Sequence, residues 1–414
     1  MSTIRAFKAL RPTKEYASRV AALPYDVMNS EEARVKVQGN PYSFLHVDKA
    51  EIDLPRGTYL YADEVYKKAA ENLEKLEADG ICIQDNKKLL YIYRQIMGNI
   101  CQTGIVGCAS IDDYMNGVIK RHELTRADKE EDRIRHVDTC DANTGPIFLA
   151  YRRSTQVDEI IEKYVSLQPE YDFVSEGDVK NTVWVIDDEK DIECVISAFG
   201  DIESLYIADG HHRAASAVRV GQKRREANPD YDGSEEFNFF LAVFFRADEL
   251  KILDYNRLLK DTNSHSDEEL FSLLEESFTI NESSKAVSPV GKHSFGMYYK
   301  NKWYSLKLKN GIADDTDPVA SLDVSVLQKE VIERIFGISD PRTDSRIDFV
   351  GGIRGLGELE KRCSEDAVLA FSMYPTSLDE LMAIADAGEI MPPKSTWFEP
   401  KLLSGLFIHK LSEF

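Results

Sequence analysis

Apolar residues recur at helical spacing in residues 62–79, where Val65, Ala69, Leu73 and Leu76 form one stripe and Gly80 supplies a stop. The period then changes. Leu89-Leu90-Tyr91-Ile92-Tyr93 and Thr103-Gly104-Ile105-Val106-Gly107-Cys108-Ala109 are strand-length apolar runs, and Gly98-Asn99 between them predicts an antiparallel pair. Residues 126–139 mix charges of both signs, which predicts a solvated helix leading into the loop Asp141-Ala142-Asn143-Thr144-Gly145-Pro146. Residues 183–186, 205–208 and 239–245 predict further strands.

The second half repeats the alternation. Ser266 as a cap with Glu269 three residues on predicts a helix over residues 266–277. Residues 294–299 and 303–308 predict a hairpin around Lys300-Asn301-Lys302. Helices are expected over 324–336, 359–363 and 378–387, and strands over 346–350 and 367–373. No repeat or low-complexity tract interrupts the pattern, so the class is mixed α and β.

The composition belongs to an ordinary globular chain: 414 residues, 43% hydrophobic and 30% charged. Its 51 basic and 72 acidic residues give a formal charge of −21, which repels nucleic acid and anionic membranes, so neither is an expected partner. A small anionic substrate would need a local basic pocket. No apolar run reaches the length of a membrane span, and Met1-Ser2-Thr3-Ile4-Arg5 lacks the apolar core of a secretory signal, so a cytoplasmic location is expected. The six cysteines have no Cys-x-x-Cys pair, which argues against a zinc site or a disulfide scaffold, and most are expected to be buried thiols.

Three segments carry candidate chemistry. In Ile207-Ala208-Asp209-Gly210-His211-His212-Arg213-Ala214-Ala215-Ser216, a strand meets an Asp-Gly turn and then a small-residue helix. His211, His212 and Arg213 therefore stand at a helix amino end, which already favours anions, so a phosphate is the expected guest. The alternative is that Asp209 caps the helix and neutralises Arg213 while the histidines pack or face water. In Lys120-Arg121-His122-Glu123-Leu124-Thr125-Arg126, a carboxylate among cations suits a general base, although such charge runs also mark wet surfaces. Met391-Pro392-Pro393-Lys394-Ser395-Thr396-Trp397-Phe398-Glu399-Pro400-Lys401 offers, in its Lys-Ser-Thr triplet, a cation and two hydroxyls after a rigid Pro-Pro, or serves as a connector to the apolar residues 402–408. Gly351-Gly352-Ile353-Arg354-Gly355-Leu356-Gly357 matches no phosphate-loop pattern and predicts a flexible turn.

Pro24-Tyr25-Asp26-Val27, Ser43-Phe44-Leu45-His46, residues 207–213 and Pro392-Pro393-Lys394-Ser395-Thr396 together resemble the DUF1015 family over essentially the whole length. From about Ser110 onward the chain is also similar to the archaeal ADP-dependent serine kinases of the ParB and sulfiredoxin superfamily. Those carry Pro-His-Glu, Asp-Gly-His-His-Arg and Pro-Lys-Thr-Thr in the order of Arg121-His122-Glu123, Asp209-Gly210-His211-His212-Arg213 and Pro393-Lys394-Ser395-Thr396 here. The resemblance implies a ParB/sulfiredoxin-like core over residues 110–250, flanked by a family-specific α/β region over 1–109 and a C-terminal α/β region over 251–414.

It also implies a phosphotransferase acting between a nucleotide (ADP, AMP or similar) and free serine or phosphoserine, with Mg²⁺ expected and homo-oligomerisation left open. Glu123 would be the base, with His122 and Asp209 beside it. Gly210, His211, His212, Arg213 and Thr144 would hold phosphate, Asp209 would be the candidate metal ligand, and Lys394, Ser395 and Thr396 would meet the amino acid. Trp397-Phe398 replace the kinases' Arg-His, so carboxylate recognition is expected to differ. The competing readings are a ParB-like nucleotide-binding regulatory or DNA-associated protein and a phosphoserine phosphatase.

Overall fold

A computed structural model describes residues 1–412. The chain forms two compact units, one of residues 1–250 with the segment from Pro400 onward, and one of residues 251–399. The first is built on a nine-stranded mixed sheet. Its strands run in the order Ile119–Lys120, Leu205–Asp209, Ile147–Tyr151, Phe239–Arg246, Ile100–Ser110, Leu90–Met97, Val179–Ile186 and Tyr171–Ser175, with Ile4–Arg5 added alongside Ile100–Ser110. The hairpin predicted around Gly98-Asn99 forms, with Gly98 at φ +57°. Phe239–Arg246 is almost continuously apolar because it lies mid-sheet, where Phe240 to Phe245 are fully buried.

Two pairings are parallel, and one of them matters here. Leu205 and Tyr206 pair in parallel with Ile119 and Lys120, so the residues after each strand emerge at the same sheet edge. The chain leaving Leu205–Asp209 enters the helix His211–Ala227, and the chain leaving Ile119–Lys120 carries His122 and Glu123.

The helix Ala127–Cys140 packs on His211–Ala227, whose run Ala214, Ala215, Ser216 and Ala217 keeps the contact face small. It differs from the solvated helix that its charges predict. Asp132, Arg133, His136, Val137 and Cys140 are buried, because the Tyr66 hydroxyl and Arg133 satisfy Asp132, so paired charges line a packed face. The predicted helix of residues 62–79 forms as Asp63–Ala78 and buries Val65, Ala69, Leu73 and Leu76 with Leu10, Phe44, Val47, Cys140 and Ile408. The loop at 141–146 is partly extended, since Ala142–Asn143 pairs with His409–Lys410.

The second unit has a six-stranded antiparallel sheet ordered Phe278–Ser283, Lys302–Leu308, Ser294–Tyr299, Leu369–Ser372, Tyr255–Leu259 and Ile347–Gly351. The capping box of Ser266 with Glu269 starts the helix Asp267–Ser277, and Lys300 and Asn301 take positive φ in the predicted hairpin turn. The helix expected over 324–336 is instead α-helical over Asp323–Leu327 and a π-turn over Gln328–Glu333. Val326 and Val331, like Leu327 and Ile332, lie five residues apart and are all buried, a spacing that the wider turn keeps on one face. The glycine segment after Ile347–Gly351 is a single turn, Gly352–Arg354, before the helix Leu356–Glu365.

Three of the six cysteines are buried, fewer than expected, and all six are free thiols. Among the described residues no helix is long and apolar enough to cross a membrane.

Candidate functional site

The Asp-Gly turn bends where only glycine is comfortable. Gly210 has φ +91°, and the backbone N–H of Gly210 donates to Asp209 Oδ1 at 2.8 Å. The Asp209 carboxylate therefore sits at the turn and does not cap the helix with its side chain. Its Oδ2 accepts from Lys401 Nζ at 2.7 Å. Burial pushes this carboxyl up, but the charge and hydrogen bond of Lys401 outweigh it and hold Asp209 below the ordinary carboxylate range.

Lys401 is fixed through its own backbone. Its carbonyl accepts from Gln95 Nε2 at 2.9 Å, and the preceding Pro400 carbonyl accepts from Gln102 Nε2 at 3.2 Å. Gln95, Gln102 and Asn181 are buried in the sheet and bonded to one another. Three strands thus anchor the segment that delivers the lysine.

The three residues expected to grip one phosphate point in different directions, because consecutive helical residues are about 100° apart. His211 turns to the parallel strand pair, where its Nδ1 lies 3.9 Å from Glu123 Oε2 and its ring meets the His122 ring edge-on with centroids 4.5 Å apart. The Nε2 of His212 accepts from the backbone N–H of Arg126 at 3.1 Å. Arg213 turns to the other side, donating to the Ser404 hydroxyl at 3.3 Å and lying 3.6 Å from Asp48 Oδ2.

The histidines are also not the cations that the sequence suggests. Burial pushes His122 down to about 4 against the pull of Asp209, and burial followed by the His122 charge pushes His211 well below its ordinary value. Burial lowers His212 as well. All three rings are neutral at pH 7, which leaves Arg213 and Lys401 as positive groups of the turn.

A cavity of about 20 Å³ adjoins Arg213 and is lined by Arg133, His136, Asn143, Thr144, Gly145 and Arg213 among others. Thr144 Oγ1 donates to Asp48 Oδ1 at 3.0 Å, and the guanidiniums of Arg133 and Arg213 lie 4.0 and 5.4 Å from the centre of the Tyr25 ring. Gly145 leaves room for Arg213, since a Cβ there would collide with Arg213 Nη1. Tyr25, Asp48, Lys401 and Ser404 had no role assigned from sequence. For Tyr25 a signal existed in Pro24-Tyr25-Asp26-Val27, but nothing local marks what it faces.

Residues 4–325 match the DUF1015 family, described as a protein family of unknown function. The chain belongs to the DUF1015 family. The matched stretch of this DUF1015 protein ends short of Pro392-Pro393-Lys394-Ser395-Thr396, a narrower span than the resemblance suggested. No curated protein matches it. It is similar to a solved free serine kinase in complex with AMP, with 16% identity and a TM-score of 0.35 over 75% of this chain and 88% of that one. A variant of such a kinase in complex with ADP matches with 14% identity and a TM-score of 0.36, over 71% and 87%. C-terminally truncated SbnI from Staphylococcus aureus matches with 12% identity and a TM-score of 0.35, over 72% and 85%.

The third predicted segment of the DUF1015 protein lies in the second unit. Lys394 takes φ +59°, its carbonyl accepts from Arg257 Nη2 at 3.1 Å, and its Nζ lies 5.7 Å from the centre of the Tyr255 ring. The Ser395 hydroxyl donates to the Pro392 carbonyl at 2.6 Å, and the Ser395 carbonyl accepts from Thr376. The segment is a pinned loop, with the Ser395 hydroxyl engaged inside it and Thr396 half-buried.

Proposed function

We propose that this DUF1015 protein is a phosphotransferase moving a phosphoryl group between a nucleotide, ADP or AMP, and free serine or phosphoserine, on a core related to the ParB and sulfiredoxin proteins. One observation carries the reading: Glu123 Oε2 lies 3.9 Å from His211 Nδ1, at the amino end of the helix that opens with the Asp-Gly-His-His-Arg turn. A carboxylate able to accept a hydroxyl proton thereby faces a helix end that favours anions. Phosphoryl transfer is mainly positioning and charge neutralisation, so no covalent intermediate is required.

In this reading Glu123 takes the proton of the serine hydroxyl, and His122 packs against His211 to hold its ring. The backbone N–H groups of His211 and His212 donate to phosphate oxygens at the helix amino end, Gly210 shapes the turn with its own N–H held by Asp209 Oδ1, and Arg213 and Lys401 supply the positive charge. Thr144 completes the phosphate side; amino-acid recognition by Lys394, Ser395 and Thr396 is what the resemblance implies, although the Ser395 hydroxyl already donates to the Pro392 carbonyl. Mg²⁺ is a hard ion that takes oxygen ligands. Asp209 offers its oxygens only in competition with Lys401 and the Gly210 N–H, so it fits a magnesium ligand poorly.

The test is serine release from phosphoserine with and without ADP or AMP. Nucleotide-dependent release supports the proposal. Equal release without nucleotide indicates a phosphatase, nucleotide binding without turnover indicates a regulator, and either outcome overturns it.

A further inference from the structure

His122, Glu123 and His211 each place a ligand atom within 4.8 Å of the others. The two rings are buried, with side-chain exposures of 2% and 5%, while Glu123 reaches the surface. Among the described residues His211 Nε2 has no hydrogen-bond partner, and the His122 ring has none beyond an approach to the Ile207 backbone. Burying a polar atom unpaired disfavours the folded state, so ring nitrogens left in this way on two touching rings point to a ligand site.

The chemistry of the guest follows from the donors. An imidazole can turn a nitrogen lone pair toward a cation, and two such nitrogens stand here beside a carboxylate. Two imidazole nitrogens with one carboxylate oxygen form a borderline donor set that suits Zn²⁺, Co²⁺, Ni²⁺ or Fe²⁺ better than Mg²⁺ or Ca²⁺. Two histidines and a glutamate, with a fourth position open, are also a known ligand count for a zinc ion that binds substrate.

We propose that His122, Glu123 and His211 form a site for one divalent transition-metal ion, distinct from the magnesium expected to travel with a nucleotide. A tetrahedral ion with bonds of about 2.1 Å holds its ligands about 3.4 Å apart, so the three side chains close by roughly 1 Å when it binds. Glu123 stands on a loop and is 43% exposed, so solvent reaches its carboxylate more than it does the two rings. The parallel pairing of Leu205 with Ile119 supplies the rigid part, because it sets the two histidines side by side before any ion arrives.

The site does not depend on which reaction the protein runs, so its test reads binding alone. The full chain, stripped with a chelator and dialysed, is titrated with Co²⁺ and followed by its visible absorption. One Co²⁺ per chain is expected, displaced by Zn²⁺ but not by millimolar Mg²⁺. His211→Ala and His122→Ala should each weaken binding about 100-fold or more. Glu123→Gln, altered at the surface, should weaken it while leaving the fold intact, and His212→Ala should leave it unchanged. For variants that fail to fold, the unmodified protein decides. Crystals soaked in Co²⁺ should show an anomalous peak about 2.1 Å from nitrogens of His122 and His211. No stoichiometric Co²⁺, binding unaffected by Glu123→Gln, or an ordered water alone between the two rings overturns the proposal.

Discussion

Lys401 Nζ meets Asp209 Oδ2 at 2.7 Å across 192 positions of sequence, and this pair joins the last segment of the chain to the turn that opens the candidate site. The lysine holds the carboxylate ionised beside a helix amino end. It also brings a positive charge that the turn's neutral histidines do not provide.

Replacing that lysine should therefore be felt in stability as a function of pH. The folded Asp209 carboxyl is held below its unfolded value, so its contribution is present above an unfolded pKa of about 4 and lost as pH falls through the folded one. Because Asp209 is 40% exposed, solvent screens the pair and Lys401→Met should cost about 1 kcal/mol at pH 7. Urea denaturation of parent and variant should show that gap closing below pH 4. A gap that persists at pH 3 would assign the loss to packing of the lysine stem.

The buried histidines follow the same linkage, because their folded values also lie below the unfolded ones. His122 titrates at about 4 in the folded chain and near 6.5 unfolded, so the unfolded state binds the proton first and stability falls as pH drops from 6.5 toward 4. From this ring alone the parent should lose about 2 kcal/mol between pH 7 and pH 5. His122→Leu should flatten that slope, as measured by denaturation at the two pH values. An imidazole NMR signal from His122 that titrates near pH 6.5 would sink this claim.

Glycines at two positions separate backbone strain from site geometry. Gly210→Ala forces a left-handed backbone on alanine and should destabilise the chain by about 1–2 kcal/mol. Gly145→Ala has another effect, since its methyl would displace Arg213. Calorimetry should show nucleotide affinity about tenfold weaker in Gly145→Ala, the loss of one hydrogen bond to a charged group. Unchanged affinity would remove Arg213 from the nucleotide site.

Local features of the site were legible in the sequence and long-range ones were not. The Asp209-Gly210 turn and the helix after it follow from residues within one turn of each other, as do the capping box at Ser266 and the hairpin around Lys300. That His122 and Glu123 bear on His211 came from a motif order shared with other proteins. Spacing alone gave a charge run, and the cause is the parallel pairing of Ile119 with Leu205, which no local pattern encodes. Lys401, Asp48 and Tyr25 reach the turn through tertiary packing and carry no periodic signal. The divergence of His211, His212 and Arg213 follows from helix geometry, and the neutrality of the rings follows from burial, which sequence does not reveal.

The most direct measurement is ³¹P NMR of phosphoserine mixed with ADP or AMP and the purified protein. The expected result is loss of the phosphoserine signal matched by growth of a new nucleotide phosphoryl signal, slowed about 10²–10⁴-fold in Glu123→Gln. Inorganic phosphate as the sole product, or equal rates in the parent and Glu123→Gln, would contradict it.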